Sequence, residues 1–227
     1  MKKIILMTVF LFTAALIFSQ NPTAVIREIT GTVEIKRGSA DWAPAVRGAQ
    51  VAKGNIISTG FRSTAVLAVG SSVITVRPLT RLSLEDLMNQ NNTETINVNL
   101  NTGRIRAEVA SPSGTRADFT VQSPSATASV RGTIFEMDPF SIQVMEGAVS
   151  YEPAAGIANR PVTVSAGQAT WIDSETGAAL LPMTAAENSG ALSNLFGQHD
   201  INENIARFQA PVNGTLDVGI ILEPKGE

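Results

Sequence analysis

The chain has 227 residues, of which 17 are Lys or Arg and 20 are Asp or Glu, so its formal net charge is −3. This mildly acidic balance disfavours nucleic acid and anionic membranes as partners, and an aromatic content of 5% leaves few rings for stacking on single-stranded nucleic acids or sugars. Because there is no cysteine, disulfides, thiolate metal sites and acylation on a cysteine are excluded.

The N-terminus predicts a secretory signal peptide. Lys2 and Lys3 precede an uncharged apolar run over residues 4–18, which is shorter than the roughly 20 residues needed to cross a bilayer. We expect cleavage near Ser19 or Gln20, so that residues 1–20 form the signal peptide; the alternative is an uncleaved anchor. Loss of the two lysines changes the charge from 17 minus 20 to 15 minus 20, about −5. The protein is therefore expected in the periplasm or cell envelope, with no membrane span after cleavage.

Residues 24–172 alternate between apolar and polar side chains over short segments that are separated by Gly, Pro, Asn and Ser. This period indicates strand after strand, with Val, Ile and Leu facing a core. We predict an all-β fold, an elongated stack of short strands that is either solenoid-like or a sandwich, within one domain over residues 24–182. A glycine followed two places later by an apolar residue recurs at irregular intervals, and each such glycine is predicted to end a turn and open a strand. These glycines are Gly31, Gly103, Gly132 and Gly147.

A hairpin is predicted from Arg131 to Glu146, with its turn at Asp138-Pro139. A symmetric loop would pair Met137 with Phe140, Phe135 with Ile142 and Thr133 with Val144, placing five apolar side chains on one face. A four-residue loop with this register is favoured, because Pro at the second position of a two-residue loop is unfavourable unless cis. The same register would put Arg131 opposite Glu146 as a structural ion pair.

The C-terminal residues 183–227 have a different character. Apolar residues at Leu192, Leu195, Phe196, Ile201, Ile205 and Phe208 predict one or two short helices separated near Gly197. Residues 215–222 alternate again and predict a strand before a loose tail.

No catalytic or cofactor motif is found in the sequence. The single histidine, His199, has no second histidine or cysteine for a triad or a metal site, and no nucleophile elbow or phosphate-binding glycine loop is present. Carboxylates that could serve a glycosidase occur by chance in any β protein, so we predict no enzyme activity, no cofactor and no metal. The carboxylates considered are Glu85, Asp86, Asp138, Glu146, Glu152 and Asp173.

Two groups of side chains are candidate ligand sites. One group is a basic strip formed by Arg104, Arg106, Arg116 and Arg131. The alternative is that they are ordinary solvated strand charges, which is favoured because alternate positions such as Arg104 and Arg106 share one face of a sheet. Trp42 and Trp171 would form a stacking pair, or pack at the edge of the core, which we favour.

Several segments together resemble the FecR domain, the periplasmic sensor domain of bacterial iron-uptake regulators. The resemblance spans residues 24–172, and its most recognisable elements are Val130-Arg131-Gly132-Thr133-Ile134-Phe135 and Val144-Met145-Glu146-Gly147-Ala148-Val149. The other segments are Gly31-Thr32-Val33, Trp42-Ala43-Pro44-Ala45, Gly48, Gly54, Ile56-Ile57-Ser58-Thr59-Gly60, Ser63-Thr64-Ala65, Gly70-Ser71, Thr80-Arg81-Leu82 and Ala166-Gly167-Gln168. Asn55 stands where the family usually has Asp, and the family's Asp before Gly70 is missing.

The resemblance implies a non-catalytic all-β domain that binds other proteins, with Arg131, Gly132, Thr133, Phe135, Glu146 and Gly147 as its structural motif. In the best-known members the domain relays a signal from an outer-membrane transporter to a sigma factor. No cytoplasmic domain precedes the apolar segment here, so direct contact with a sigma factor is not expected. We predict a protein-binding envelope protein with a sensor, regulatory or assembly role, whose partner is another envelope or outer-membrane protein. The alternatives are a structural or cell-wall-associated protein and a carrier of lipid or lipopolysaccharide.

Overall fold

The structure is a computed structural model that describes residues 24–110, 116–154 and 160–184. The chain divides into two units, Met1–Pro182 and Met183–Glu227. In the second unit the described residues are Met183 and Thr184, so the predicted C-terminal helices, strand and tail lie outside the described residues, as does the signal peptide.

The described residues form β-strands joined by turns, and they contain no helix. The all-β prediction is therefore confirmed. The strands are β1 (Ala24–Thr30), β2 (Val33–Arg37), β3 (Trp42–Pro44), β4 (Gln50–Val51), β5 (Asn55–Thr59), β6 (Thr64–Val69), β7 (Ser72–Val76), β8 (Arg81–Gln90), β9 (Thr93–Thr102), β10 (Ile105–Glu108), β11 (Arg116–Gln122), β12 (Ala126–Val130), β13 (Ile134–Met137), β14 (Ser141–Glu146), β15 (Ala148–Pro153), β16 (Val162–Ser165), β17 (Gln168–Trp171) and, in the second unit, β18 (Met183–Thr184).

The first unit contains two open sheets. Sheet A has the strand order β17-β14-β13-β10-β7-β6-β1-β4, and sheet B has the order β16-β15-β12-β11-β9-β8-β5-β2-β3. The chain makes a strand or a hairpin in one sheet, crosses to the other sheet, and repeats this along the stack. The register pairs are antiparallel except between β9 and β11, where Phe119 lies opposite Ile96 in a parallel pair.

One apolar cluster joins the inward faces of both sheets, from Ala24 in β1 to Val164 in β16. This core explains why apolar and polar residues alternate in the sequence, because every second side chain of a strand points into the core. In β9, for example, Ile96, Val98 and Leu100 are buried, and the residues between them are half-buried. The rings of Phe119 in β11 and Phe135 in β13 meet edge-on across the two sheets, with centroids 6.2 Å apart.

The glycine motif marks the places where the chain changes sheets. Gly31, Gly103, Gly132 and Gly147 all have positive φ, and each stands just before a strand of the opposite sheet. The prediction that these glycines end turns and open strands is confirmed. Two of them also permit close packing: a Cβ on Gly103 would lie 2.3 Å from Thr80 Oγ1, and one on Gly147 would lie 2.8 Å from the carbonyl oxygen of Gly132.

The predicted hairpin forms, but its predicted register is wrong. Met137 pairs with Ile142 and Phe135 with Val144, a shift of two residues, and Ile134 takes the place opposite Glu146 that was predicted for Arg131. Residues 138–141 separate the paired Met137 and Ile142, as in the longer loop that was favoured. Asp138 closes this turn: its Oδ1 accepts the N–H groups of Phe140 and Ser141, each at 2.9 Å.

A shift of two residues keeps each side chain on its face. The four apolar side chains of the pairs, at positions 135, 137, 142 and 144, are therefore buried together as predicted, whereas Phe140 lies in the turn and is 62% exposed. A register irregularity between Ile134 and Phe135 leaves Met145 as the extra residue of a β-bulge.

Candidate functional site

The residues predicted as the structural motif lie at a sheet crossing. Thr133 is buried, and its Oγ1 lies 3.1 Å from the carbonyl oxygens of both Arg131 and Ala148, so one hydroxyl connects two neighbouring crossings. Phe135 is buried in the core, whereas Arg131 and Glu146 are exposed. This geometry agrees with a structural role for Thr133 and Phe135, and it offers no ion pair between Arg131 and Glu146.

The four arginines considered as a basic strip lie apart. Arg104 bonds to Asp138, with Nη2 3.1 Å from Oδ2, and Arg106 pairs with Glu108 at 3.3 Å in the same strand. Arg116 begins β11 in the other sheet, and Arg131 follows β12. Arg106 in β10 and Arg104 just before it are therefore ion-paired charges, and the four arginines do not form one binding strip.

The two tryptophans belong to different sheets, Trp42 to β3 in sheet B and Trp171 to β17 in sheet A, and both are half-buried. The guanidinium of Arg81 lies over the Trp42 ring, 5.4 Å from its centroid. Packing at an edge of the structure therefore describes Trp42 better than a stacking pair.

A more distinctive feature is a row of sheet crossings along one edge, which we call the crossing edge. It is defined by residues 31–32, 60–63, 77–80 and 103–104 and by the hairpin turn 138–140. Backbone hydrogen bonds connect neighbours along the row: Gly60 N donates to Thr32 O, Leu79 N to Gly60 O, and Arg77 N to Arg104 O. The Arg104–Asp138 ion pair continues the row to the hairpin turn.

Buried hydroxyls fix the crossing edge from inside. Ser63 Oγ accepts the Thr32 N–H at 2.8 Å, Thr59 Oγ1 accepts the Thr80 N–H at 3.0 Å, and Thr80 Oγ1 accepts the Arg104 N–H at 2.9 Å. Each hydroxyl satisfies a peptide group that has left its sheet, which would otherwise be unpaired at the turn. The crossings are thus held in a fixed geometry with respect to one another.

Large apolar side chains project outward from this edge. Phe61 is 73% exposed, Leu79 is 59% exposed and Phe140 is 62% exposed. Arg62 and Leu79 also have φ angles of 53° and 55°, a left-handed conformation that is unfavourable for residues other than glycine. A bulky residue that is both exposed and in this conformation contributes little to the stability of the fold. Such residues are typical of binding surfaces.

The outermost charges of the edge are positive. The Arg62 guanidinium lies 5.4 Å from the centroid of the Phe61 ring, and it forms no ion pair within the described part of the chain. Arg77 Nε lies 3.5 Å from Glu136 Oε1, an ion pair without hydrogen-bond geometry. The side chains of Arg77 and Arg104 are 41% and 56% exposed, whereas their carboxylate partners are only 24% and 21% exposed.

An apolar void near one end of the stack has a volume of about 10 Å³, roughly one water molecule, and is lined by side chains that include Ile57, Leu67 and Val98. Across residues 24–110, 116–154 and 160–184, no three acidic, histidine or cysteine side chains are grouped to hold a metal ion. The described part of the chain contains no helix that is long and apolar enough to span a membrane.

The pKa values of Tyr151 and Asp173 are shifted from their ordinary values. Burial raises the pKa of Tyr151, with a smaller contribution from the charge of Asp138, and the Tyr151 hydroxyl has no hydrogen-bond partner among the described residues. Hydrogen bonds from Thr176 and Glu175 lower the pKa of Asp173, which closes an exposed turn. Both effects have local structural causes.

Residues 55–150 match the family model described as FecR protein. This stretch of the chain is similar to FecR proteins. The matched residues run from β5 into β15 and contain most of the crossing edge, including Phe61, Leu79, Arg104 and Phe140. The segments before Asn55 and after Ser150 that resemble the family lie outside the match. Within the matched stretch, Asn55 is buried and its Oδ1 accepts the Ala52 N–H, while Val69 in β6 precedes Gly70.

Among solved structures, two crystal structures of a candidate anti-sigma factor from Parabacteroides distasonis ATCC 8503, at 1.65 and 2.50 Å resolution, are similar to this chain. Each aligns with 14% identity and a TM-score of 0.46, over 61% of this chain and 64% of the crystallised chain. The chain therefore matches less than two thirds of that protein. No curated protein matches the chain.

Proposed function

We propose that this chain is an exported, non-catalytic envelope protein whose FecR domain binds another protein in a regulatory or assembly role. The observation that carries the proposal is the FecR match over residues 55–150, which cover the middle strands of both sheets. The signal peptide predicted from residues 1–20 supports export. The similarity to FecR proteins, a family of regulators, supports the proposal that the partner is a protein located at the membrane.

Two other functions are less well supported. A carrier needs room for an acyl chain, and the apolar void lined by Ile57, Leu67 and Val98, with a volume of about 10 Å³, is too small for one. A structural role in the cell wall would need a wall-binding segment, and the sequence contains no recognisable one.

The proposal is tested by crosslinking the native protein in its own cells, fractionating the envelope and identifying the attached proteins by mass spectrometry. We expect one dominant envelope or outer-membrane protein, with saturable binding when both proteins are purified. Retention of the purified protein on isolated peptidoglycan, without such a partner, would favour the structural role. Loss of bound lipid with a fall in thermal stability on delipidation would favour the carrier.

A further inference from the structure

The crossing edge combines two features that the fold does not require. Phe61, Leu79 and Phe140 are exposed apolar side chains, although each stands beside a well-packed crossing or turn. The backbone at Arg62 and Leu79 has left-handed φ angles. In both cases a glycine or a small polar residue would serve the turn with less strain and less exposed apolar area.

The row is narrow and has a direction. Hydrogen bonds join neighbouring crossings, so Phe61, Leu79 and Arg104 follow one another at the spacing of adjacent strands, roughly 5 Å per strand. The ion pair between Arg104 and Asp138 places Phe140 next, because Asp138 also accepts the Phe140 N–H. A linear row of this kind fits an extended segment of a partner better than it fits a broad flat surface.

The charge of the row indicates which segment it would accept. Arg77 and Arg104 pair with the carboxylates of Glu136 and Asp138, and Arg62 has no such partner among the described residues, so these five groups leave an excess of one positive charge in a chain whose net charge is −3. Arg62 supplies that excess, and its guanidinium stacks on an exposed ring. An arginine held over an aromatic ring is well placed to bind a carboxylate and to cover an adjacent apolar side chain.

We propose that the crossing edge is a docking surface for an acidic protein segment whose carboxylates alternate with apolar side chains. Carboxylates of the partner bind Arg62 and Arg104, and its apolar side chains cover Phe61, Leu79 and Phe140. A membrane is the less suitable occupant, because the acidic chain as a whole is repelled by an anionic bilayer. The proposal rests on the proposed protein-binding function and specifies the surface and the partner chemistry.

The test uses the purified full chain as exported and three probes: a fluorescent peptide of alternating Glu and Leu or Phe, the same peptide with Lys in place of Glu, and vesicles of phosphatidylcholine and phosphatidylglycerol. Anisotropy and vesicle co-sedimentation measure binding. We expect saturable binding of the acidic peptide, at least about tenfold tighter than that of the basic peptide, which corresponds to about 1.4 kcal/mol.

Matched variants locate the binding. Phe61→Ser and Arg62→Glu should each weaken binding of the acidic peptide by about tenfold or more. Met88→Ser and Arg116→Glu make the same chemical changes at exposed positions outside the crossing edge, and they should change binding by less than about twofold. All four variants must first show the same unfolding transition as the parent protein, since each side chain is exposed.

Three outcomes would overturn the inference: equal affinity for the two peptides, equal losses in the control variants, or vesicle binding that Phe61→Ser abolishes. The proposed function is tested separately. If crosslinking identifies an envelope partner whose binding is unchanged in Phe61→Ser and Arg62→Glu, protein binding stands and the crossing edge is excluded as its surface.

Discussion

At the scale of single residues, the sheet crossings depend on glycines whose replacement by any other residue lowers the stability of the fold. Gly103 has a φ of 85°, and an added Cβ would lie 2.4 Å from the Cα of Thr80 and 2.7 Å from the carbonyl oxygen of Leu79. Gly48 has a φ of 83° with open space around it. The two positions therefore separate backbone strain from steric overlap.

We expect Gly48→Ala to lower the free energy of unfolding by about 1 kcal/mol, from the left-handed conformation alone. Gly103→Ala should cost at least about 2 kcal/mol more, because the backbone around Thr80 must move. Urea unfolding of both variants measures the difference. Equal losses would show that the packing between Gly103 and Thr80 is not tight.

Tyr151 gives a prediction about pH. Its ring is fully buried and burial raises its pKa, so the native phenol stays protonated where an unfolded phenol ionises, above about pH 10. Protons are then lost on unfolding, and the free energy of unfolding falls as pH rises from that point. Tyr151→Phe should remove this part of the loss and leave stability at neutral pH unchanged or higher, because it deletes an unpaired hydroxyl.

The measurement is direct because Tyr151 is the only tyrosine in the chain. The ultraviolet absorbance of phenolate reports this residue alone, and in the native protein it should appear together with alkaline unfolding. In denaturant it should appear at the ordinary tyrosine pKa. Phenolate formed in a fully folded protein near pH 10 would contradict the burial argument.

At the scale of elements, the two sheets meet through specific side chains as well as through a general apolar layer. Phe119 in β11 and Phe135 in β13 form an edge-on pair with an interplanar angle of 74°. In a double-mutant cycle with Phe119→Leu and Phe135→Leu, each single change should destabilise, and the coupling should be about 0.5–1.5 kcal/mol. Urea unfolding of the four proteins gives the coupling, and additive losses would mean that the rings act only through their buried area.

At the scale of the whole described fold, the two tryptophans report opposite ends of the stack. Trp42 lies in the last strand of sheet B at the N-terminal end, and Trp171 lies in β17, at the other end of sheet A within the first unit. Because the chain crosses between the sheets repeatedly and one apolar cluster joins them, neither sheet has a core of its own. We expect one cooperative unfolding transition.

Two variants test this expectation, Trp42→Phe and Trp171→Phe, each of which leaves one fluorescent reporter. The denaturant midpoints measured by the remaining tryptophan's fluorescence should coincide after correction for the stability change that each substitution causes. Circular dichroism of each variant measures that stability change. Separate midpoints would show that the ends of the stack fray independently, as in a solenoid.

The alternation of side chains in the sequence was sufficient to predict the all-β class and, for clear strands such as β9, the face that is buried. It also predicted the glycines that precede new strands, since a left-handed turn favours glycine. The hairpin around Asp138 shows the limit of this information: its faces were predicted correctly, but its register was wrong by two residues. A shift of two leaves the alternation unchanged, so the pattern contains no signal that distinguishes the two registers.

The sequence by itself therefore determined the fold class, the buried faces and the resemblance to the FecR family. Only the tertiary structure decided which sheet each strand joins, the parallel pairing of β9 with β11, and the row formed by Phe61, Leu79 and Phe140. The physical reason is that alternation and turn chemistry are local, acting over a few residues. Sheet membership and the crossing edge instead arise from hydrogen bonds between residues far apart in the chain, such as the bond from Arg77 to Arg104.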